Sequence, residues 1–155
     1  MLLSPGPHLA GGEYAIPVVR GMMALTRELL GEFDEICGVI WSPSQSAIGC
    51  RYFESTVSAW LDGGPFPALG LTAFAATVDG GLQSVGLSHF IDRELRIDAP
   101  LSQDKVAATR LAVRLVNQLI LIGGIEGEER VVAPDGTQLV LQESENRRFI
   151  RVRAD

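Results

Sequence analysis

Side chains able to do acid–base or metal chemistry are densest in one short stretch, at His89, Asp92 and Glu94. A histidine beside two carboxylates could move protons or bind a metal ion. The spacing matches no catalytic or metal motif, and charges at the end of a strand are usually solvated or paired locally. Strand alternation would aim His89 to the same side as Val85 and Leu87. The sequence therefore predicts a candidate binding site here and assigns no catalytic residue.

A second candidate site consists of Arg110 and Arg114, four residues apart in a helical stretch. Residues at this spacing share a helix face, and two guanidinium forks there could hold a phosphate or an acidic partner. The competing interpretation is the solvated face of an amphipathic helix, which also includes Asn117.

Motifs for cofactors, metals and nucleophiles are lacking in this sequence. It has no Gly-x-Ser-x-Gly, no phosphate-binding loop before a helix and no Cys-x-x-Cys. Glu126, Glu128 and Glu129 lack the spacing of a calcium loop and predict a solvated acidic loop. We expect no cofactor and no metal ion.

The two cysteines, Cys37 and Cys50, are interpreted as reduced, small apolar residues. A disulfide is open to them if their two segments pair. A reactive thiol is the third alternative, and no neighbouring histidine supports it.

Composition limits the class of protein. The chain of 155 residues suits one domain, and its net charge of −6 argues against a nucleic-acid or anionic-membrane partner. Lys105 is the single lysine among thirteen cationic residues, which is typical of a GC-rich bacterial genome. The start of the chain lacks a basic, then apolar, leader, and the longest apolar run, Leu119 to Ile122, is far below membrane-span length. These patterns predict a cytoplasmic protein.

The elements that must position these residues can be predicted in outline. Residues 1–12, rich in Pro and Gly, predict a flexible lead-in, and residues 13–155 a single α+β domain. The first half predicts a helix with an apolar stripe at Val18, Met22, Leu25 and Leu29, then a strand covered on both faces, a short returning strand and a second helix. Their predicted bounds are Pro17–Gly31, Ile36–Trp41, Ser46–Cys50 and Arg51–Leu61.

The second half predicts three strands, the longest helix, a hairpin and an edge strand. Their predicted bounds are Leu69–Val78, Leu82–Ile91, Glu94–Ile97, Ser102–Ile122, Arg130–Ala133 with Gln138–Gln142, and Phe149–Val152. Ser102 is the expected helix cap, Leu101 and Val106 an expected hydrophobic staple, and the last helical turn should be surrounded. Runs of strands between helices predict a mainly antiparallel sheet packed against two or three helices.

One motif resembles a known family. It reads Ser84-x-Gly86-Leu87-x-x-Phe90-x-x-x-Glu94-Leu95-x-Ile97, followed by a long helix and a Gly-rich turn. Over residues 16–142 the chain resembles the bacterial domain-of-unknown-function family 4261. The resemblance implies the α+β fold, and since this family has no established activity it implies no function. Glu94 belongs to the motif, so the resemblance marks it as the anchor of the candidate site.

Function is predicted only as a class. A well-patterned core without a convergent polar triad favours a non-catalytic binding or protein-interaction module. Two exposed-edge candidates, Ala47–Cys50 and Phe149–Val152, suggest a homodimer or another protein partner. The first alternative is a small metal-dependent or hydrolase-like enzyme using His89, Asp92 and Glu94. The second is an immunity or accessory protein that binds a basic partner, which the net charge permits.

Overall fold

A computed structural model describes residues 1–155 and shows the predicted α+β architecture. The helices are α1 (Ile16–Glu32), α2 (Cys50–Leu61), α3 (Ala68–Leu71), α4 (Ser88–Ile91) and α5 (Lys105–Ile122). The strands are β1 (Gly38–Trp41), β2 (Ser46–Gly49), β3 (Ala73–Ala76), β4 (Leu82–Val85), β5 (Glu94–Ile97), β6 (Glu128–Val132), β7 (Gln138–Glu143) and β8 (Phe149–Ala154). None of these helices combines the length and the apolar character that crossing a bilayer requires.

Six strands form the main sheet in the order β3-β4-β5-β8-β7-β6, and β1 and β2 form a separate hairpin. Every neighbouring pair is antiparallel except β5 and β8, where Glu94 lies beside Phe149 and Ile97 beside Val152. The prediction of Phe149–Val152 as an edge strand is wrong, because β8 pairs with β5 on one side and β7 on the other. Its alternating apolar residues fit this interior position, since they line the buried face.

One hydrophobic core joins α1, α2 and α3 to a layer between α5 and one face of the main sheet. On α5 the buried residues are Ala108, Ala112, Leu115, Val116 and Leu119. On the sheet they are Leu95, Ile97, Leu139, Leu141, Ile150 and Val152. Burying a Leu or Ile side chain contributes about 1.5–3 kcal/mol, so this layer stabilises the fold strongly.

The start and end of α5 differ from the prediction. Asp104 is the cap, since its carboxylate accepts hydrogen bonds from the backbone of Val106 at 2.9 Å and Ala107 at 3.1 Å. Ser102 lies in the preceding 3-10 turn and donates to the Gly80 carbonyl at 2.7 Å, so it is not free to cap. Val106 is 62% exposed, so it does not form the predicted hydrophobic staple with the partly buried Leu101.

The last turn of α5 is open to solvent rather than surrounded, because Leu121 is 85% and Ile122 52% exposed. The apolar run there extends past the edge of the layer that α5 covers. The helix then ends at Gly123, whose left-handed backbone stops it.

The buried stripe of α1 is turned by one position from the predicted one. Val19 and Met23 are buried, whereas Leu25 is exposed. The reason is Arg20, which donates to the carbonyls of Trp60 at 2.9 Å and Leu61 at 2.7 Å, at the end of α2. Its guanidinium also lies 4.9 Å from the Trp60 ring centre, so an arginine belongs to the face that packs on α2.

The β1–β2 hairpin is not covered on both faces, which corrects the prediction for Ile36–Trp41. Ile40 is 75% exposed and Trp41 is buried, because the hairpin stands apart from the main sheet and alternates. Gly38 pairs with Gly49 at the open end of the hairpin, so Cys37, which precedes β1, and Cys50, which follows β2, lie just beyond that last pair. Both thiols are free, and the Cys50 thiol donates to the Ile36 carbonyl at 3.1 Å.

The predicted strands Leu69–Val78 and Leu82–Ile91 are both too long. Residues 68–71 form the helical turn α3, which begins after Pro67, and only Ala73–Ala76 is extended. After β4 the chain turns at Gly86, whose φ of 94° is a left-handed conformation that glycine adopts without strain. His89 therefore lies on α4, and its side chain does not follow the strand alternation expected from Val85.

Candidate functional site

The Glu94 carboxylate organises the turn between β4 and α4. Its Oε1 accepts hydrogen bonds from Gly86 N at 2.9 Å, Ser88 N at 3.2 Å and Ser88 Oγ at 2.7 Å. Its Oε2 accepts from Leu87 N at 3.2 Å and from the Ser84 hydroxyl at 2.5 Å. With five donors around it, this carboxylate holds its own backbone turn and has little accepting capacity left for a ligand.

The same turn is tied to the hairpin through Gly86. A Cβ at Gly86 would lie 2.8 Å from the backbone of Ser44, so only glycine allows this approach. Ser44 is buried and is the last residue of the short 3-10 turn that follows Trp41. Through this contact the position of α4, and of His89 on it, depends on the hairpin.

The three residues proposed for acid–base or metal chemistry do not form one site. Asp92 is exposed at the end of α4 and makes no ion pair or side-chain hydrogen bond, while Glu94 faces the turn. No three His, Cys, Asp or Glu side chains of the chain come close enough to hold a metal ion. Between Asp92 and Glu94, Arg93 pairs with Glu143 of β7 at 2.8 Å, which fastens the loop to the sheet.

Arg110 and Arg114 both lie exposed on α5, one turn apart, as the spacing predicts. Neither makes an ion pair. Arg110, with Lys105 and the exposed Leu69, lines an open groove of about 500 Å³, and Arg114 does not line it. The structure thus supports the solvated-face interpretation for Arg114 and leaves Arg110 at the side of a shallow groove.

A cavity of about 710 Å³ lies between α1, the hairpin and the first residues of the chain. Eleven of its nineteen lining residues are hydrophobic, and its volume is within the range usual for small-molecule sites. The chain has three methionines, and all three, Met1, Met22 and Met23, line this cavity. Methionine is unbranched and adapts to the shape of its neighbours, so this wall can accommodate more than one shape.

His89 lies at this cavity, within an aromatic cluster. Its ring centre is 5.4 Å from that of Trp41 and 5.0 Å from that of Phe90, in both cases nearly perpendicular. Burial lowers the pKa of His89 below its usual 6.5, while the Glu13 backbone carbonyl, which accepts a hydrogen bond from the imidazole, and the Glu13 charge act in the opposite direction. The imidazole is therefore neutral at pH 7.

Four buried side-chain polar atoms lack a hydrogen-bond partner. Two of them, Arg93 Nε and Glu143 Oε1, belong to the ion pair described above, whose opposite charges are already matched. The other two are Trp41 Nε1 and His89 Nε2, on two neighbouring rings that both line the cavity. Such orphaned groups are uncommon, because a buried polar atom without a partner destabilises the fold.

Most residues of this cavity were beyond sequence reasoning. They come from residues 1–5, from one side of α1, from the hairpin and from a single position on α4, so no spacing connects them. His89 was singled out, but for chemistry with Asp92 and Glu94 rather than for a cavity. The adjacent methionines Met22 and Met23 are the one local signal of this cavity in the sequence. The lead-in supplies a wall, and its predicted flexibility stays a prediction.

Comparison with protein-family models, with curated proteins and with solved structures finds no match for this chain. The resemblance of the Ser84–Ile97 motif to domain-of-unknown-function family 4261 therefore rests on its residues alone and stays a prediction.

Proposed function

We propose that the protein is a non-catalytic binding module whose ligand is a small, largely apolar molecule held in the cavity beside His89. The observation that carries the proposal is the cavity itself, about 710 Å³ in volume, mostly apolar in lining and walled by every methionine of the chain. An apolar ligand gains free energy by leaving water, at about 25 cal/mol per Å² of buried apolar surface.

The candidate catalytic residues support a binding role over an enzymatic one. A small metal-dependent or hydrolase-like enzyme would need His89, Asp92 and Glu94 to converge on a substrate. Glu94 is instead saturated by donors of its own turn, and Asp92 is solvated. An immunity or accessory protein for a basic partner remains the other alternative, with the net charge of −6 as its support.

We also propose a cytoplasmic bacterial protein that does not bind nucleic acid. The arginines on the outer sheet face are already neutralised: Arg96 lies 2.7 Å from Asp79 and Arg151 lies 3.0 Å from Asp98. Thr77 and Arg96 hold the pKa of Asp79 at about 2, so this carboxylate is charged at neutral pH. Phosphate binding needs clustered free cations, which this face does not offer.

A homodimer is the partner we propose, through the free edge of β2. That strand pairs only with β1, whereas β8, the other edge candidate, has a neighbour on each side. Light scattering across a concentration series tests this part; a monomer at the highest concentration would contradict it.

The binding proposal is tested with a neutral fluorescent apolar probe, N-phenyl-1-naphthylamine, titrated with the whole chain. We expect saturable binding of one probe per chain. Val39→Phe, which adds a ring to the cavity wall, should weaken binding at least about tenfold because the ring occupies ligand space. Val18→Phe is the matched control, a half-buried valine of α1 outside the cavity. Absence of saturable binding to the folded protein, or equal binding by the Val39 variant, would refute the proposal.

A further inference from the structure

We infer that the ligand is an uncharged apolar alcohol whose hydroxyl group bridges Trp41 Nε1 and His89 Nε2. This inference rests on the proposed function and specifies its ligand class. It starts from the two orphaned nitrogens, which belong to adjacent rings and line one cavity.

The geometry favours one small bridging group. The ring centres of Trp41 and His89 are 5.4 Å apart and the planes meet at 88°, so the two rings form a corner. Because the two rings are in contact and both nitrogens lack a partner, we infer that one small polar group serves both of them.

The chemistry of the two nitrogens selects a hydroxyl group. The indole Nε1 only donates, so the ligand must present an acceptor. A neutral imidazole nitrogen either donates or accepts, depending on the tautomer. A hydroxyl group donates one bond and accepts two, and it therefore satisfies both rings with either tautomer of His89.

Charged head groups fit less well. A carboxylate cannot donate, and the negative charge of Glu13 lies close enough to act on the His89 ring. An ammonium group cannot accept from Trp41. A carboxylate would also lose its hydration in a mostly apolar cavity whose lining contains no Lys or Arg side chain.

Access to the corner requires side chains to move. Both nitrogens are closed to solvent, so the ligand has to displace the groups that cover them. Met22 and Met23 on α1 are the flexible groups in the wall, and three rotatable bonds in each allow that displacement without moving the backbone.

The test is competition against the neutral naphthylamine probe with four ligands of one chain length: 1-octanol, octanoate, octylammonium and octane. We expect 1-octanol to compete best. Trp41→Phe keeps an aromatic ring but removes the donor, and it should weaken octanol binding by about 2- to 13-fold, the range for one hydrogen bond, with octane unchanged. His89→Phe should act similarly. Trp60→Phe is the matched control, since Trp60 packs on Phe66 outside the cavity.

The outcomes separate the two proposals. The ligand class is wrong if octanoate or octylammonium competes as well as 1-octanol. It is also wrong if the order of the four ligands is unchanged in Trp41→Phe and His89→Phe. In both cases, binding of the probe still supports the proposed cavity. If the probe itself does not bind, the proposed function fails. The ligand comparison on the unmodified chain decides the class even if a variant does not fold.

Discussion

Glu94→Gln tests the role of the carboxylate at the β4–α4 turn. Glutamine keeps one oxygen, which can accept the three bonds now made to Oε1 by Gly86 and Ser88. Its amide nitrogen replaces Oε2 and cannot accept from the backbone N–H of Leu87. The Ser84 hydroxyl loses its acceptor as well and must reorient toward the new amide.

The magnitude follows from these losses. A hydrogen bond to a charged group contributes about 1.5–3 kcal/mol. The Leu87 bond is lost outright, the Ser84 bond is exchanged for one with a neutral amide, and the three bonds to the remaining oxygen lose their charge. Because Glu94 is only partly buried, we expect the free energy of unfolding to fall by about 2–3 kcal/mol. In a chain of this size that lowers Tm by roughly 4–12 °C.

Urea unfolding followed by circular dichroism measures the change. Glu126→Gln is the control, because Glu126 is exposed and makes no hydrogen bond or ion pair, and we expect it to stay within about 0.5 kcal/mol of the unmodified chain. Probe affinity should stay unchanged in Glu126→Gln, since Glu126 does not line the cavity. A Glu94→Gln protein as stable as the Glu126→Gln protein would refute the view that this carboxylate holds the turn.

Three further predictions concern backbone, helix packing and pH. Gly86→Ala should destabilise the protein by at least about 2 kcal/mol more than Gly136→Ala in thermal unfolding. Both glycines have positive φ, but only at Gly86 would the new Cβ clash with a backbone, that of Ser44. Equal losses of stability would contradict this close approach. Arg20→Lys should lower the free energy of unfolding in urea by about 1–2 kcal/mol, because one ammonium group cannot replace both bonds to the carbonyls at the end of α2. Arg51→Lys, at an exposed position, should leave it unchanged. Equal stability of the two variants would argue against a stabilising role of the Arg20 bonds. Since folding lowers the pKa of His89, the contribution of its neutral ring to the free energy of unfolding should be complete above pH 6.5 and decline as the pH falls below that value. His89→Phe should make the free energy of unfolding less dependent on pH in this range. An NMR titration midpoint for His89 above 6.5 would contradict the burial argument.

The sequence predicted the fold well where one pattern dominates. The apolar stripe of α5 and the β6–β7 hairpin around Pro134–Thr137 were found close to their actual bounds. Errors occur where two local signals compete. Ser102 and Asp104 are both good caps, and only the tertiary acceptor at Gly80 takes Ser102 away.

Position within the sheet and the content of the cavity could not be predicted for a different reason. The parallel pairing of β5 with β8 joins residues more than fifty positions apart, and no local pattern records it. Arg20 lies on the packing face of α1, although charged residues usually face solvent, because its guanidinium donates to carbonyls at the end of the neighbouring helix α2. Glu94 is predicted as the anchor of a binding site, whereas the partners of its carboxylate in the structure are backbone N–H groups and serine hydroxyls around its own turn.

The interior place of β8 has a consequence for synthesis. Strands β3, β4 and β5 form one ladder and β6 and β7 another, and only β8 joins them. A chain that leaves the ribosome with its N-terminus first, at about 5–20 residues per second, presents both ladders before their connecting strand exists. Until Phe149–Ala154 emerges, the inner edges of β5 and β7 have unpaired backbone groups. The inner edge of β5 is thus open to pairing with other chains for about 3–11 s and that of β7 for about 0.5–2 s, until the last strand of the sheet covers both.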